Sequence, residues 1–195
     1  MLILIHGLPL SLKSTMGIDF AARFQCGLVS TGFFGTPMYS GTDEEFHISR
    51  EVRYNACKTI GLEYLKNGWP VILEGNFSLP KWRKWIFDYA ADKSSSFVTI
   101  RCVCSDVSAR QSRYNTRYQS LYGLDREGRS SAYEQEQSVE VPISSKEYGP
   151  LLDFLELEID TGTWRLSVKR NISSKNMKVL EELERWSAYR RVNKA

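Results

Sequence analysis

The run from Leu2 to Thr15 constrains this 195-residue chain more than any other part of it. Leu2-Ile3-Leu4-Ile5 is short, branched and wholly apolar, the pattern of a central parallel strand buried on both faces. His6 and Gly7 follow, then Leu8-Pro9-Leu10-Ser11-Leu12, then Lys13-Ser14-Thr15. From Ser14 to about Phe24 the sequence reads as a helix with Ile18, Ala21, Ala22 and Phe24 toward a sheet. A strand that turns through a Gly-opened loop into a helix bearing Lys-Ser/Thr is suited to phosphate. Backbone N–H groups converge at the helix N-terminus, the lysine reaches the β- and γ-phosphates, and the hydroxyl ligates Mg2+. The full pattern is Gly-x-x-x-x-Gly-Lys-Ser/Thr. Gly7 and Lys13-Ser14 satisfy it, but Leu12 stands at the second glycine. Glycine there permits positive φ and a close backbone approach, whereas leucine in that conformation costs roughly 1–2 kcal/mol. The candidate nucleotide-binding residues are Gly7, Leu10, Ser11, Leu12, Lys13, Ser14 and Thr15. The plain alternative is a strand-to-helix turn with an incidental lysine.

The remaining chain alternates strand and helix. A second strand is expected at 28–30, followed by a Gly-rich aromatic loop over 31–42. A long helix over 44–67 carries Ile48, Val52, Ala56, Ile60 and Tyr64 every four residues, read as its buried face, and Gly68 stops it. Pro70-Val-Ile-Leu-Glu74 is a third strand ending in an acid. A helix over 79–92 with Trp82, Trp85 and Phe87, a strand over 97–103, a basic helix over 106–118 and a strand over 155–160 follow. A closing helix over 173–190 is expected to turn Met177, Leu180, Leu183 and Trp186 inward. Between about 119 and 150 the pattern fades into polar sequence, read as a mobile lid carrying Arg126 and Arg129. The alternation predicts an α/β fold with a mainly parallel sheet, in one domain over 1–195.

Composition excludes little but sharpens the choice. Twenty-six basic against 23 acidic residues leave +3, too mild to argue for a large nucleic-acid footprint. The four cysteines lack metal-ligand spacing, and Cys102 and Cys104 read as buried thiols of a reducing, cytoplasmic compartment. The Leu2–Ile5 run is too short for a signal peptide, and no apolar run is long enough for a membrane span.

Two further groups bear on chemistry. Ligands of open α/β sheets lie beyond the carboxyl ends of the strands, so Glu74 is placed to serve Mg2+ or to take a proton from an acceptor. Its alternative is a solvated turn acid. Arg110, Arg113 and Arg117, spaced three and four apart, share one helix face and suit phosphate oxygens and the charge of a transferring phosphoryl group; alone they would read as a solvated basic face. The aromatics of 33–39 and Trp82/Trp85 suit a planar or apolar acceptor, with core packing the preferred reading for the tryptophans. His6 and His47 receive no role.

Residues 3 to about 160 resemble the small P-loop kinases grouped with zeta toxins, chloramphenicol phosphotransferase, gluconate-kinase-like enzymes and the kinase module of polynucleotide kinases. The resemblance rests on 7–15, on Arg50-Glu51-Val52, on the 67–77 run Asn-Gly-Trp-Pro-Val-Ile-Leu-Glu-Gly-Asn-Phe, on the arginine helix, and on Leu157-Glu-Ile-Asp-Thr161. It implies a three-layer α/β/α sandwich on a five-stranded parallel sheet in order 2-3-1-4-5, ATP with Mg2+ as donor, a hydroxyl-bearing acceptor above the sheet, and a lid with arginines. On that reading Lys13, Glu74, Arg113 and Arg117 are catalytic, Arg110 helps bind nucleotide, and Ser14 with Glu74 serves the metal. Two departures stand out. Leu10-Ser11-Leu12-Lys13 replaces the usual Gly-Ser-Gly-Lys, and the Asp-x-x-Arg that often follows the second strand, whose aspartate activates the acceptor, gives way to Gly32-Phe33-Phe34-Gly35. Glu74, Asp43 or Glu44 would have to substitute. The rival expectation is a pseudokinase that binds a nucleotide or a protein partner; a 5′-hydroxyl nucleic-acid kinase is a weaker third.

Overall fold

The structure is a computed structural model describing residues 1–34, 43–93, 96–122, 143, 154–171 and 176–193, without the side chains of 43–49, 117–122 and 171. Six strands form one sheet: β1 (Leu2–Gly7), β2 (Gly27–Ser30), β3 (Val71–Glu74), β4 (Phe97–Val103), β5 (Phe154–Asp160) and β6 (Arg165–Asn171). Their order is β2-β3-β1-β4-β5-β6, with β6 alone antiparallel. The expected order of five parallel strands is present, and β6 is added at its edge. The turn of Thr161-Gly162-Thr163 and the alternation of Leu166 and Val168 with Arg165, Ser167 and Lys169 are its signal in sequence.

The helices are α1 (Lys13–Phe24), α2 (Asp43–Lys66), α3 (Pro80–Lys93), α4 (Val107–Tyr122) and α5 (Met177–Val192). Alternate residues of the central strands build two cores. Leu2, Leu4, Val71, Leu73 and Phe97 meet Tyr54 and Cys57 of α2 and Trp82, Ile86, Phe87 and Ala90 of α3. Ile3, Ile5, Ile72, Val98 and Ile100 meet Met16 and Phe20 of α1 and Val179, Leu180, Leu183 and Trp186 of α5. The three-layer α/β/α arrangement follows. Trp82 stacks on Tyr54 with ring centroids 4.6 Å apart, so its reading as core holds. Cys102 is buried, and burial pushes its thiol up to about 12, which suits an inert core thiol.

Several expected helix faces are rotated. In α1 the buried residues are Lys13, Met16, Gly17 and Phe20, while Ile18 is 57% exposed and Ala22 is exposed. In α2 the face toward the sheet is Tyr54, Cys57 and Gly61, and Val52, Ile60 and Tyr64 of the expected stripe are exposed. A strict spacing of four overshoots the helical repeat of about 3.6 residues, so such a stripe winds off the core. Met177 of α5 likewise points out, while Leu180, Leu183 and Trp186 point in as expected. The 31–34 part of the expected loop is a short 3-10 turn; 35–42 and nearly all of the expected lid, with Arg126 and Arg129, lie outside the described residues.

Candidate functional site at the head of the first helix

The loop from Gly7 to Leu12 joins the central strand to α1 at the carboxyl end of the sheet. Gly7 has φ +129°, and a Cβ there would stand 2.1 Å from the Cys102 carbonyl oxygen, so no other residue fits. Leu10 (φ 64°) and Leu12 (φ 57°) both hold the left-handed conformation. These are the two positions at which the resembling kinases carry glycine. The backbone shape survives the loss of the residues that make it easy, at about 1–2 kcal/mol for each leucine. Packing offsets part of this: Leu12 lies against the α1/α5 core.

Hydrogen bonds hold the loop in place. The Leu8 carbonyl accepts from Ser11 Oγ at 2.7 Å and from Lys13 Nζ at 2.6 Å, which keeps the largely buried Lys13 ammonium across the loop. Arg113, from α4, donates through Nη1 to the Leu10 carbonyl (3.0 Å) and to Thr161 Oγ1 (3.1 Å), and through Nη2 to the Thr161 carbonyl (2.8 Å). The residue expected at the transferring phosphate is thus a strut between α4, the loop and the end of β5. Asp106 fixes the start of α4, its Oδ1 accepting from the Ala109 N–H at 3.0 Å. Sequence reasoning gave no site role to Asp106, read as the first residue of the basic helix, or to Thr161, counted only within the Leu157–Thr161 resemblance.

α1 begins at Lys13 with no side-chain cap and no acid in its first turn. Its first N–H groups and dipole therefore face the mouth of the loop, where an anion is favoured. Ser14 is exposed there, and Thr15 partly so. Glu74 closes β3 beside them, buried, with Oε2 accepting from Ser30 Oγ. The donors suit Mg2+, a hard cation that takes one or two protein oxygens together with phosphates and water. Among the described residues no group of three His, Cys, Asp or Glu side chains could cage a metal alone. Arg110 is partly buried on α4; the side chains of Arg117, Asp43 and Glu44 lie outside the described residues.

On the acceptor side, Gly32 leaves no carboxylate after β2, and its N–H donates to Ser30 Oγ at 3.1 Å. Phe33, 63% exposed, and Phe34 stand open beside it. The turn after β3 is braced by the Phe77 N–H donating to Tyr54 Oη (3.0 Å), by Arg83 Nη1 donating to the Phe77 carbonyl (2.9 Å), and by Arg50 Nη2 donating to Ser78 Oγ (3.0 Å). His6, at the carboxyl end of β1, is buried; burial first, then the charges of Arg83, Arg101 and Lys13, lower it to about 3, so it stays neutral.

No protein-family model and no curated protein sequence matches the chain. Solved structures do. A candidate kinase from Chloroflexus aurantiacus J-10-fl matches with TM-score 0.62 and 21% identity over 94% of this chain and 95% of its own. A sugar kinase from Janibacter sp. HTCC2649 matches with TM-score 0.54 and 13% identity, over 82% and 84% of the two chains. Thymidylate kinase from Candida albicans matches with TM-score 0.50 and 13% identity, over 94% and 90%. The chain has the fold of the small P-loop kinases. Among the described residues no helix is long and apolar enough to cross a membrane.

Proposed function

We propose that the protein is an ATP-dependent phosphotransferase that moves the γ-phosphate to a hydroxyl of a small molecule or nucleoside. The observation that carries this is the left-handed backbone at both Leu10 and Leu12, which gives the loop before Lys13 the shape a glycine-containing phosphate loop would have. In this reading the loop N–H groups and Lys13 hold the β- and γ-phosphates, and Ser14 and Glu74 hold Mg2+, which neutralises charge developing on the transferring group. Arg110 and Arg117 serve the phosphates, and Arg113 fixes the loop that binds them. The acceptor oxygen forms its bond to the γ-phosphorus as the bond to the β,γ-bridging oxygen breaks, and ADP leaves. Phosphoryl transfer depends mainly on position and charge, so the missing aspartate slows the reaction without forbidding it.

A second reading, a nucleotide-binding pseudokinase, is favoured by Gly32, which offers no base. The experiment is transfer of labelled γ-phosphate to a panel of sugars, nucleosides, oligonucleotides and hydroxyl-bearing antibiotics, with Lys13→Ala as control. Label transfer that is lost in Lys13→Ala supports the enzyme. Nucleotide binding with no transfer to any acceptor supports the pseudokinase.

A further inference from the structure

We propose that Ser30 is a positioning residue that holds Glu74 by one carboxylate oxygen and leaves the other directed to the Mg2+ of the bound nucleotide. The inference rests on the phosphotransferase reading above. Ser30 ends β2 and is the register partner of Glu74 at the end of β3; both are buried. The Ser30 hydroxyl accepts the Gly32 N–H at 3.1 Å and donates to Glu74 Oε2. The bond from Gly32 takes one lone pair and leaves the hydroxyl proton free to point at the carboxylate, so the turn after β2 sets the direction of the donor.

The opposite wall is α1. A Cβ at Gly17 would stand 3.6 Å from Glu74 Cγ and 3.1 Å from Leu28 Cδ1, so the glutamate side chain lies in a slot between the early turns of α1 and the strand ends. Ser14 lies one helical turn before Gly17 on the same side of α1. The slot therefore runs from the Ser30 hydroxyl toward the mouth of the phosphate loop.

Among the described residues Ser30 is the only hydrogen-bond donor to Glu74, and no Lys or Arg forms an ion pair with it. Glu74 is a buried residue whose carboxylate meets a single neutral donor, so it lacks a partner of opposite charge. A divalent cation at Oε1 supplies what is missing. Groups that orient a metal-binding side chain in this way change metal affinity about 10- to 100-fold when removed.

The test is the affinity of the full chain for a non-hydrolysable ATP analogue, measured by calorimetry at increasing free Mg2+, for the wild type, Ser30→Ala, Ser30→Thr and Glu74→Gln. The wild type gains affinity with Mg2+. Ser30→Ala loses about tenfold of that Mg2+-linked gain and keeps the metal-free affinity; Ser30→Thr, which retains the hydroxyl, recovers it; Glu74→Gln removes it. Wild-type binding with the same Mg2+ dependence in Ser30→Ala, even with a lowered melting temperature, overturns the proposal and leaves the functional reading standing. A wild type that binds no nucleotide at any Mg2+ concentration overturns both.

Discussion

At the loop before α1, two leucines stand where the resembling kinases carry glycine; at the turn after β2, a glycine stands where many of them carry aspartate. The first departure changes how easily a backbone shape is reached. Leu10 and Leu12 still adopt φ 64° and 57°, with Leu12 packed on the core and the Leu10 carbonyl tied by Arg113. The second departure removes a chemical group. No rearrangement of Gly32 can return a carboxylate, and Glu74, the acid at the end of the neighbouring strand β3, is held by Ser30. A conformational role can be taken over by neighbours that contribute packing and hydrogen bonds, but a proton acceptor has to be present as atoms.

The largest effect is expected from restoring that group. Gly32 has no positive φ, and among the described residues a Cβ there would meet Ser30 Oγ at 3.3 Å, a tight contact, so Gly32→Asp suits the backbone once the Ser30 hydroxyl gives by a few tenths of an ångström. A positioned general base contributes about 10²–10⁴-fold, and turnover in the labelled-phosphate assay is expected to rise about a hundredfold. No rise in a folded variant means that another group already does this work, which would break the contrast between the two regions.

The next effect tests the strut. Arg113→Ala is expected to weaken nucleotide binding about tenfold, the loss of a charge-assisted hydrogen bond to the loop. Arg113→Lys recovers little, because an ammonium lacks the fork that reaches Leu10 and Thr161 together. A fall in kcat with unchanged nucleotide affinity would instead place Arg113 on the transferring phosphate.

His6 sits on β1 between the two regions, and its lowered value of about 3 makes stability depend on pH. The unfolded chain protonates it below about 6.5 and the folded protein does not, so the unfolded state binds more protons between these values. The contribution is complete above about pH 6.5 and falls with pH by up to about 1.4 kcal/mol per unit. Denaturant titrations at pH 7 and pH 5 should show that slope, and His6→Asn should reduce it. An unchanged slope would show that His6 is protonated in the fold.

The smallest effect is expected from Leu10→Gly. It relieves left-handed strain but loosens the unfolded chain, for a net change within about 1 kcal/mol, with nucleotide affinity kept. A large loss of stability would mean that the leucine side chain, and not Arg113, holds the loop.

Much of the fold was legible because buried strands announce themselves. Leu2–Ile5 and Val71–Leu73 are apolar runs, Phe97–Val103 is largely apolar around Thr99 and Arg101, and the parallel arrangement follows from their alternation with helices. The faces of α1 and α2 were less legible, since their buried positions include Lys13, Gly17 and Gly61, which hydrophobic patterning passes over. In the candidate site, type and spacing single out Lys13, Ser14 and Glu74, and the fold places all three at the carboxyl end of the sheet. The Arg113 strut and the Ser30–Glu74 pair were not, because they join residues 103 and 44 positions apart and only the folded sheet brings them together.

The most direct test of a working loop is calorimetric titration of the protein with Mg2+ and a non-hydrolysable ATP analogue, beside Lys13→Ala. Micromolar binding that is lost in a folded Lys13→Ala protein is the expected result. No heat of binding from the folded wild type, or equal affinity in both proteins, would contradict it and leave the left-handed leucines as the shape of a loop that no longer holds nucleotide.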